Sequence, residues 1–135
     1  MQSEERYPGY REDERLVGVV PSPRQIAHQK MEYFGFIHFT VNTFTGREWG
    51  NGEESPSIFN PEKLDAGQWA ETAVRGGMTG LILTCKHHDG FCLWPSAYTE
   101  HSVKNSPYKG GKGDIVGELA EALSLIHISS PRDRS

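Results

Sequence analysis

The sequence predicts an α/β fold built on parallel strands, and three observations predict it. Two apolar runs, Phe34-Gly35-Phe36-Ile37-His38-Phe39 and Thr79-Gly80-Leu81-Ile82-Leu83-Thr84-Cys85-Lys86, are too short for helices and read as strands. Each is followed by a long loop rich in glycine and proline, and then by a capped helical segment. The second run is apolar without alternation, as expected of a strand covered on both faces in a parallel sheet.

The elements follow in order. Residues 1–22 read as a charged lead-in whose only apolar stretch is Leu16-Val17-Gly18-Val19-Val20. Ser22-Pro23-Arg24-Gln25 is a helix start: Ser22 accepts from the third helical N–H, Pro23 fits the first turn, and Gln25 reaches back. The apolar spacing of Ile26, Ala27, Met31 and Phe34 predicts a helix over about 23–33. The strand at 34–39 leads into a loop, TVNTFTGREWGNGEESPSI, over 40–58. Loops of that length in compact domains are functional or disordered, and Phe44 and Trp49 argue against disorder. Asn60-Pro61 predicts a helical turn, and Asp65-Ala66-Gly67-Gln68 a second capping box. Trp69, Ala70, Ala73 and Val74 give that helix its apolar face, and Gly76-Gly77 ends it. The second strand ends near His87-His88-Asp89-Gly90, and a loop covers about 89–113. Asp114 then caps a helix that places Ile115, Val116, Leu119, Ala120 and Leu123 on one face.

Two strand–loop–helix units joined by one helical crossover require parallel strands and a right-handed connection. A doubly wound sheet and a (β/α)8-like barrel both fit. No Gly-x-Gly-x-x-Gly turn follows either strand, which weakens the dinucleotide-binding version. Polar, histidine-bearing strand ends favour the barrel, where chemistry gathers at the carboxyl ends of the strands. A complete barrel needs roughly 250 residues and eight strands. The 135 residues here supply about two strand–helix units, an incomplete portion of such a barrel. Two strands and three helices cannot cover both faces of a sheet, so exposed strand edges and poor solubility are expected.

Composition narrows the function classes. With 14 Lys plus Arg against 18 Asp plus Glu, the net charge of −4 excludes a basic nucleic-acid or membrane-surface binder. No run of 18 apolar residues exists, so no membrane span is expected. The charged opening MQSEERYPGYREDER predicts no signal peptide in this frame. Two cysteines, Cys85 and Cys92, form neither a disulfide framework nor a zinc-binding spacing, and Cys85 reads as a small core residue.

The residues able to do chemistry lie after the strands: His38, the loop pair Glu48-Trp49, and Lys86-His87-His88-Asp89. Neighbouring parallel strands run about 4.8 Å apart, so His38 and the His87-His88 pair can converge on one pocket. The bland alternatives are a packed strand-end histidine for His38 and a loop anchor for Trp49. Successive strand residues face opposite ways, so His87 and His88 share a pocket only if the strand has twisted or ended by then. A metal site could use His38, His87, His88 and Asp89, but the His-x-His and His-x-x-x-His spacings are absent. A sugar suits the set better: imidazoles and a carboxylate bond hydroxyls, and Trp49 covers an apolar sugar face.

FGFIHFTVNTFTGREWGNG, followed by GLILTCKHHDGFCLWPSAYTEHSVKNSPYKGGKGDIVGELAEA, resembles the N-terminal part of the catalytic domain of the α-L-fucosidases of glycoside hydrolase family 29. The likeness covers about 23–122, and FIHF, EW and KHHDGF in this order carry it. SPYKGGKGDIV and REWGNGEESP are more similar to the branch that cleaves α-1,3/1,4-linked fucose. The resemblance implies a (β/α)8-like catalytic domain that hydrolyses terminal α-L-fucosides of oligosaccharides or glycoconjugates with retention. His38, Glu48, Trp49, His87 and His88 match the family's fucose-binding positions. It implies no metal and no cofactor. Family members are often secreted, periplasmic or lysosomal.

Retention requires two carboxyl groups about 5–5.5 Å apart. In the family these lie on later segments, so neither catalytic carboxylate is expected within this chain, and the chain by itself is expected to be inactive. Leu123 to Ile128 reads like a translated sequencing-library adapter, so the tail at 123–135, with His127, is expected to be non-native. Two other functions fit the same residues: a stand-alone sugar-binding module and a metal-dependent hydrolase.

Overall fold

The computed structural model describes residues 16–129. The lead-in as far as residue 15, and the tail from residue 130, lie outside the described residues. The chain divides into two units, Met1–Glu32 and Tyr33–Ser135.

In the first unit, helix α1 spans Pro23–Gln29. Ser22 Oγ accepts from Gln25 N–H at 3.3 Å, and Gln25 Oε1 accepts from Ser22 N–H at 2.7 Å, so the capping box forms as the sequence predicts. The helix is shorter than the expected 23–33. Its C-cap is Lys30, Glu32 then adopts a left-handed φ of 58°, and Phe34 belongs to a strand instead of the helix face. No residue of α1 is buried.

In the second unit, β1 (Phe34–Ile37) and β2 (Gly80–Leu83) pair in parallel, with Phe34 opposite Gly80 and Phe36 opposite Ile82. Both strands are shorter than expected, and both stop before their polar residues. His38 follows β1 directly, whereas His87 and His88 lie on a turn beyond the end of β2.

Helix α2 spans Ala66–Arg75. Asp65 caps it, Oδ1 accepting from Gln68 N–H at 3.1 Å. The expected box is only half made, because the Gln68 amide donates to Thr72 Oγ1 instead. Ala66, Ala70 and Ala73 are buried, with Trp69 beside them; Val74, expected on that face, is 54% exposed. At the C-terminus Met78 N–H donates to Ala73 and Gly77 N–H to Val74, a Schellman closure with Gly77 at a φ of 74°. Asn60-Pro61 makes no helical turn; 62–63 form a simple turn. Helix α3 spans Ile115–Ser129 and is capped by Asp114, whose Oδ1 accepts from Gly117 N–H at 2.9 Å. Ile115 and Leu119 are buried, while Ala120 is exposed. The expected boundary at Leu123 falls inside α3.

The core sits on one face of the sheet. Val41, Phe59, Phe91, Leu93, Val103, Tyr108 and Ile115 form it, with Phe39, Trp69 and Leu83 packed against it. Phe59 is its hub, with ring centroids 4.9 Å from Phe91, 5.5 Å from Phe39 and 5.4 Å from Phe44. Most of these residues come from the two segments read as loops. The opposite face leaves Phe36 55% and Ile82 37% exposed. Among the described residues no helix is long and apolar enough to cross a membrane.

Candidate functional site

The site is built where β1 and β2 end. Phe36 and His38 are two residues apart, so both side chains leave the same face of β1, and their ring centroids lie 4.4 Å apart. This is the open face, so the His38 ring stands clear of the core.

Beyond β2, His87 accepts at its carbonyl from Gly90 N–H at 3.0 Å, which closes a tight turn. Gly90 takes a φ of 74°, a conformation that a side chain would strain. Because the strand has ended, His87 and His88 are not forced to opposite faces. His87 Nε2 lies 3.0 Å from His38 Nδ1, so one ring donates and the other accepts. The two rings meet edge to face at 5.1 Å. The His88 ring lies 4.5 Å from the His87 ring and 4.3 Å from Trp49. Phe36, His38, His87, His88 and Trp49 therefore form one continuous row of rings.

The Glu48-Trp49 loop is shaped by its own backbone. Thr45 Oγ1 accepts from Arg47 N–H at 3.3 Å on the way in. On the way out, the buried Glu54 carboxylate accepts from Asn51 N–H at 2.9 Å and Gly52 N–H at 3.0 Å. The Asn51 N–H, ahead of smaller contributions, holds this carboxyl below its ordinary range. A negative charge thus fixes the turn after Trp49 while remaining outside the ring row.

His38, Glu48 and His87 line a cavity of about 360 Å³ together with Thr40, Asn42, Thr43, Gly46 and Arg47. A volume of that size matches a small-molecule pocket. Three of the five residues singled out by sequence line it. The other two, Trp49 and His88, are not part of that lining; their rings pack against each other, tilted, at 4.3 Å, and Trp49 is 64% exposed. Sequence reasoning missed Thr40, Asn42, Thr43 and Arg47. For the first three the signal was a cluster of polar residues, Thr40, Asn42 and Thr43, set directly after an apolar strand. It also missed the role of Asp89. This residue is 1% exposed and accepts from Thr40 Oγ1 at 2.6 Å and Phe91 N–H at 2.9 Å.

The arrangement has the chemistry to bond hydroxyls. Imidazoles, hydroxyls, a guanidinium and one carboxylate belong to this lining, with an exposed indole nearby. The geometry does not favour the metal alternative: each Asp89 oxygen already accepts a hydrogen bond, and His87 Nε2 is turned to His38. Among the described residues no group of three or more His, Cys, Asp or Glu is placed to hold a metal ion. Cys85, expected in the core, is half-buried; Cys92 is buried, and both are free thiols.

Comparison with known proteins gives one consistent result. The family model described as alpha-L-fucosidase matches residues 20–128. Alpha-L-fucosidase 1 of Arabidopsis thaliana is 53% identical over 120 residues, which is 85% of this chain and 24% of that protein. A glycoside hydrolase 29 family member from an unknown rumen bacterium superposes with a TM-score of 0.76 at 56% identity, over 80% of this chain and 20% of the other. A Ruminococcus gnavus GH29 fucosidase solved in complex with fucose superposes at 0.69 and 44% identity, over 77% of this chain and 22% of the other. The chain thus spans about a quarter of the length of the curated relatives it matches. The chain belongs to the alpha-L-fucosidase family, glycoside hydrolase family 29.

Proposed function

We propose that the chain is part of an α-L-fucosidase that hydrolyses terminal α-L-fucosyl residues of oligosaccharides or glycoconjugates with retention. In this reading the two parallel strands and their helices are about two units of a (β/α)8-like catalytic barrel. His38, Glu48, Trp49, His87 and His88 bind the fucose. The observation that carries the reading is the shared cavity: His38, Glu48 and His87 line one space of sugar-accommodating size, and ring contacts link His87 to His88 and His88 to Trp49. Each ring nitrogen not spent within the row can bond a hydroxyl, and the indole offers the apolar face that a deoxy sugar needs.

Retention needs a second carboxyl group about 5–5.5 Å from the first. Glu48 is the only carboxylate among the residues lining the cavity. We read it as a sugar ligand, and the chain alone as a binding surface without hydrolytic activity. The segments SPYKGGKGDIV and REWGNGEESP support assignment to the α-1,3/1,4-acting branch. The purified chain, incubated with a chromogenic α-L-fucoside, is expected to release no chromophore while showing weak, saturable fucose binding. Hydrolysis by this chain would contradict the role given to Glu48, and absence of any fucose binding would contradict the pocket.

A further inference from the structure

One buried side chain touches every segment that carries the site. Asp89 lies in the turn that presents His87 and His88, and Oδ1 accepts from Phe91 N–H within that turn. Oδ2 accepts from Thr40 Oγ1 at 2.6 Å, and Thr40 lies two residues after His38. Its third neighbour is Gly50, next to Trp49. A Cβ on Gly50 would stand 2.5 Å from Asp89 Cβ and 2.6 Å from Asn42 Oδ1. Only glycine lets the loop come that close.

A carboxylate is costly to bury unless hydrogen bonds replace its water. Asp89 is 1% exposed, and each oxygen has a donor. Its short bond to a hydroxyl is the charge-assisted type, roughly twice as strong as a neutral one. It is also directional, so it fixes the distance between the end of β1 and the His87-His88 turn. The Gly50 contact fixes the loop against the same atoms by shape. Asn42 completes the packing: its amide is buried beside Gly50, with neither polar atom hydrogen-bonded to the described residues.

We propose that Asp89 is a positioning residue that sets the ring row, acting through Thr40 on His38 and through Gly50 on Trp49. It does not line the cavity and touches no sugar. Loss of the Thr40 bond frees the β1 end from the turn, and the 3.0 Å His38–His87 contact and the Trp49–His88 stack lose their registration. The inference rests on the reading of these rings as a sugar surface only for its functional meaning, and its test uses no sugar.

The test is NMR of the 15N,13C-labelled 135-residue chain. It reads the imidazole nitrogens of His38 and His87 and the cross-relaxation between the Trp49 indole and the His88 ring. Thr40→Val, Asp89→Asn and Gly50→Ala are compared with Thr40→Ser, which keeps the hydroxyl. The first three are expected to lose the Trp49–His88 cross-peaks and to shift both imidazoles, while amide resonances of α2 and α3 stay in place. Thr40→Ser is expected to retain the native pattern. Should Asp89→Asn unfold, the Thr40 pair decides. Unchanged ring signals in Thr40→Val, or loss of the pattern in Thr40→Ser, would overturn the proposal. Fucose added to the unsubstituted chain then tests the sugar reading separately: ring contacts present without fucose binding would leave the positioning role standing and remove the sugar.

Discussion

The two faces of the β1–β2 sheet are built on opposite terms. One face carries Phe39 and Leu83 into an aromatic cluster centred on fully buried Phe59. The other shows Phe36 and Ile82 side by side, exposed, and then His38. Four-residue strands thus hold a stabilising face and a chemical face within one side-chain alternation. The difference teaches that the apolar burial that holds the fold lies behind the sheet, apart from the open face that bears Phe36 and His38, so the proposed recognition surface can be altered separately from the core.

The sharpest way to break this contrast is Phe59→Ala. A fully buried phenylalanine contacting four other aromatic rings is expected to cost about 3–5 kcal/mol on truncation. A denaturant melt checks it. A loss near zero would mean that the rear cluster does not hold the fold. Next in size is Asp65→Ala, which removes the cap of α2 and is expected to cost about 1 kcal/mol in the same melt. On the open face, Phe36→Thr is expected to change stability by no more than about 0.5 kcal/mol. A large loss there would erase the distinction between the faces.

The pH dependence sharpens it further. Glu54 has its carboxyl held below the ordinary 4.5 by backbone N–H donors. A carboxyl depressed in the folded state binds its proton first in the unfolded state as pH falls. Its stabilising contribution is therefore complete above about pH 4.5 and is lost as pH drops through the lowered folded value. The expected result is a steeper acid loss of stability in the native chain than in Glu54→Gln. Identical acid profiles would show that Glu54 does not staple the loop. The smallest stability change is expected from Trp49→Ala, because Trp49 is 64% exposed. Thermal denaturation should scarcely move, while the His88 ring resonances shift.

The sequence made the elements legible where local chemistry is self-contained. The box at Ser22-Gln25, the cap at Asp65, the closure at Gly76-Gly77 and the cap at Asp114 depend on neighbours within five residues. The parallel pairing followed from the crossover. The core was less legible, because Val41, Phe91, Leu93, Val103 and Tyr108 sit in segments with neither helical nor strand period. Their burial comes from tertiary packing, which periodicity does not see. The same holds for the Gln68 amide, which found Thr72 on its own helix and left the second box half-made.

The site was legible by type: His38, Glu48, Trp49, His87 and His88 are chemistry-bearing residues clustered after strands. What the residues alone left open was whether His87 and His88 could share a pocket. The strand ends at Leu83, which removes the alternation that would have separated them. The partner of Asp89, 49 positions earlier in the chain, could not be read from spacing at all.

The most direct measurement is a fucose titration of the labelled chain, following the side-chain nitrogens of His38, His87, His88 and Trp49. The expected result is saturable, millimolar-range shifts concentrated on these four rings, with the resonances of the aromatic cluster behind the sheet unmoved. Shifts that spread over the rear core, or rings that stay silent up to saturating sugar, would contradict the assignment of this surface to fucose.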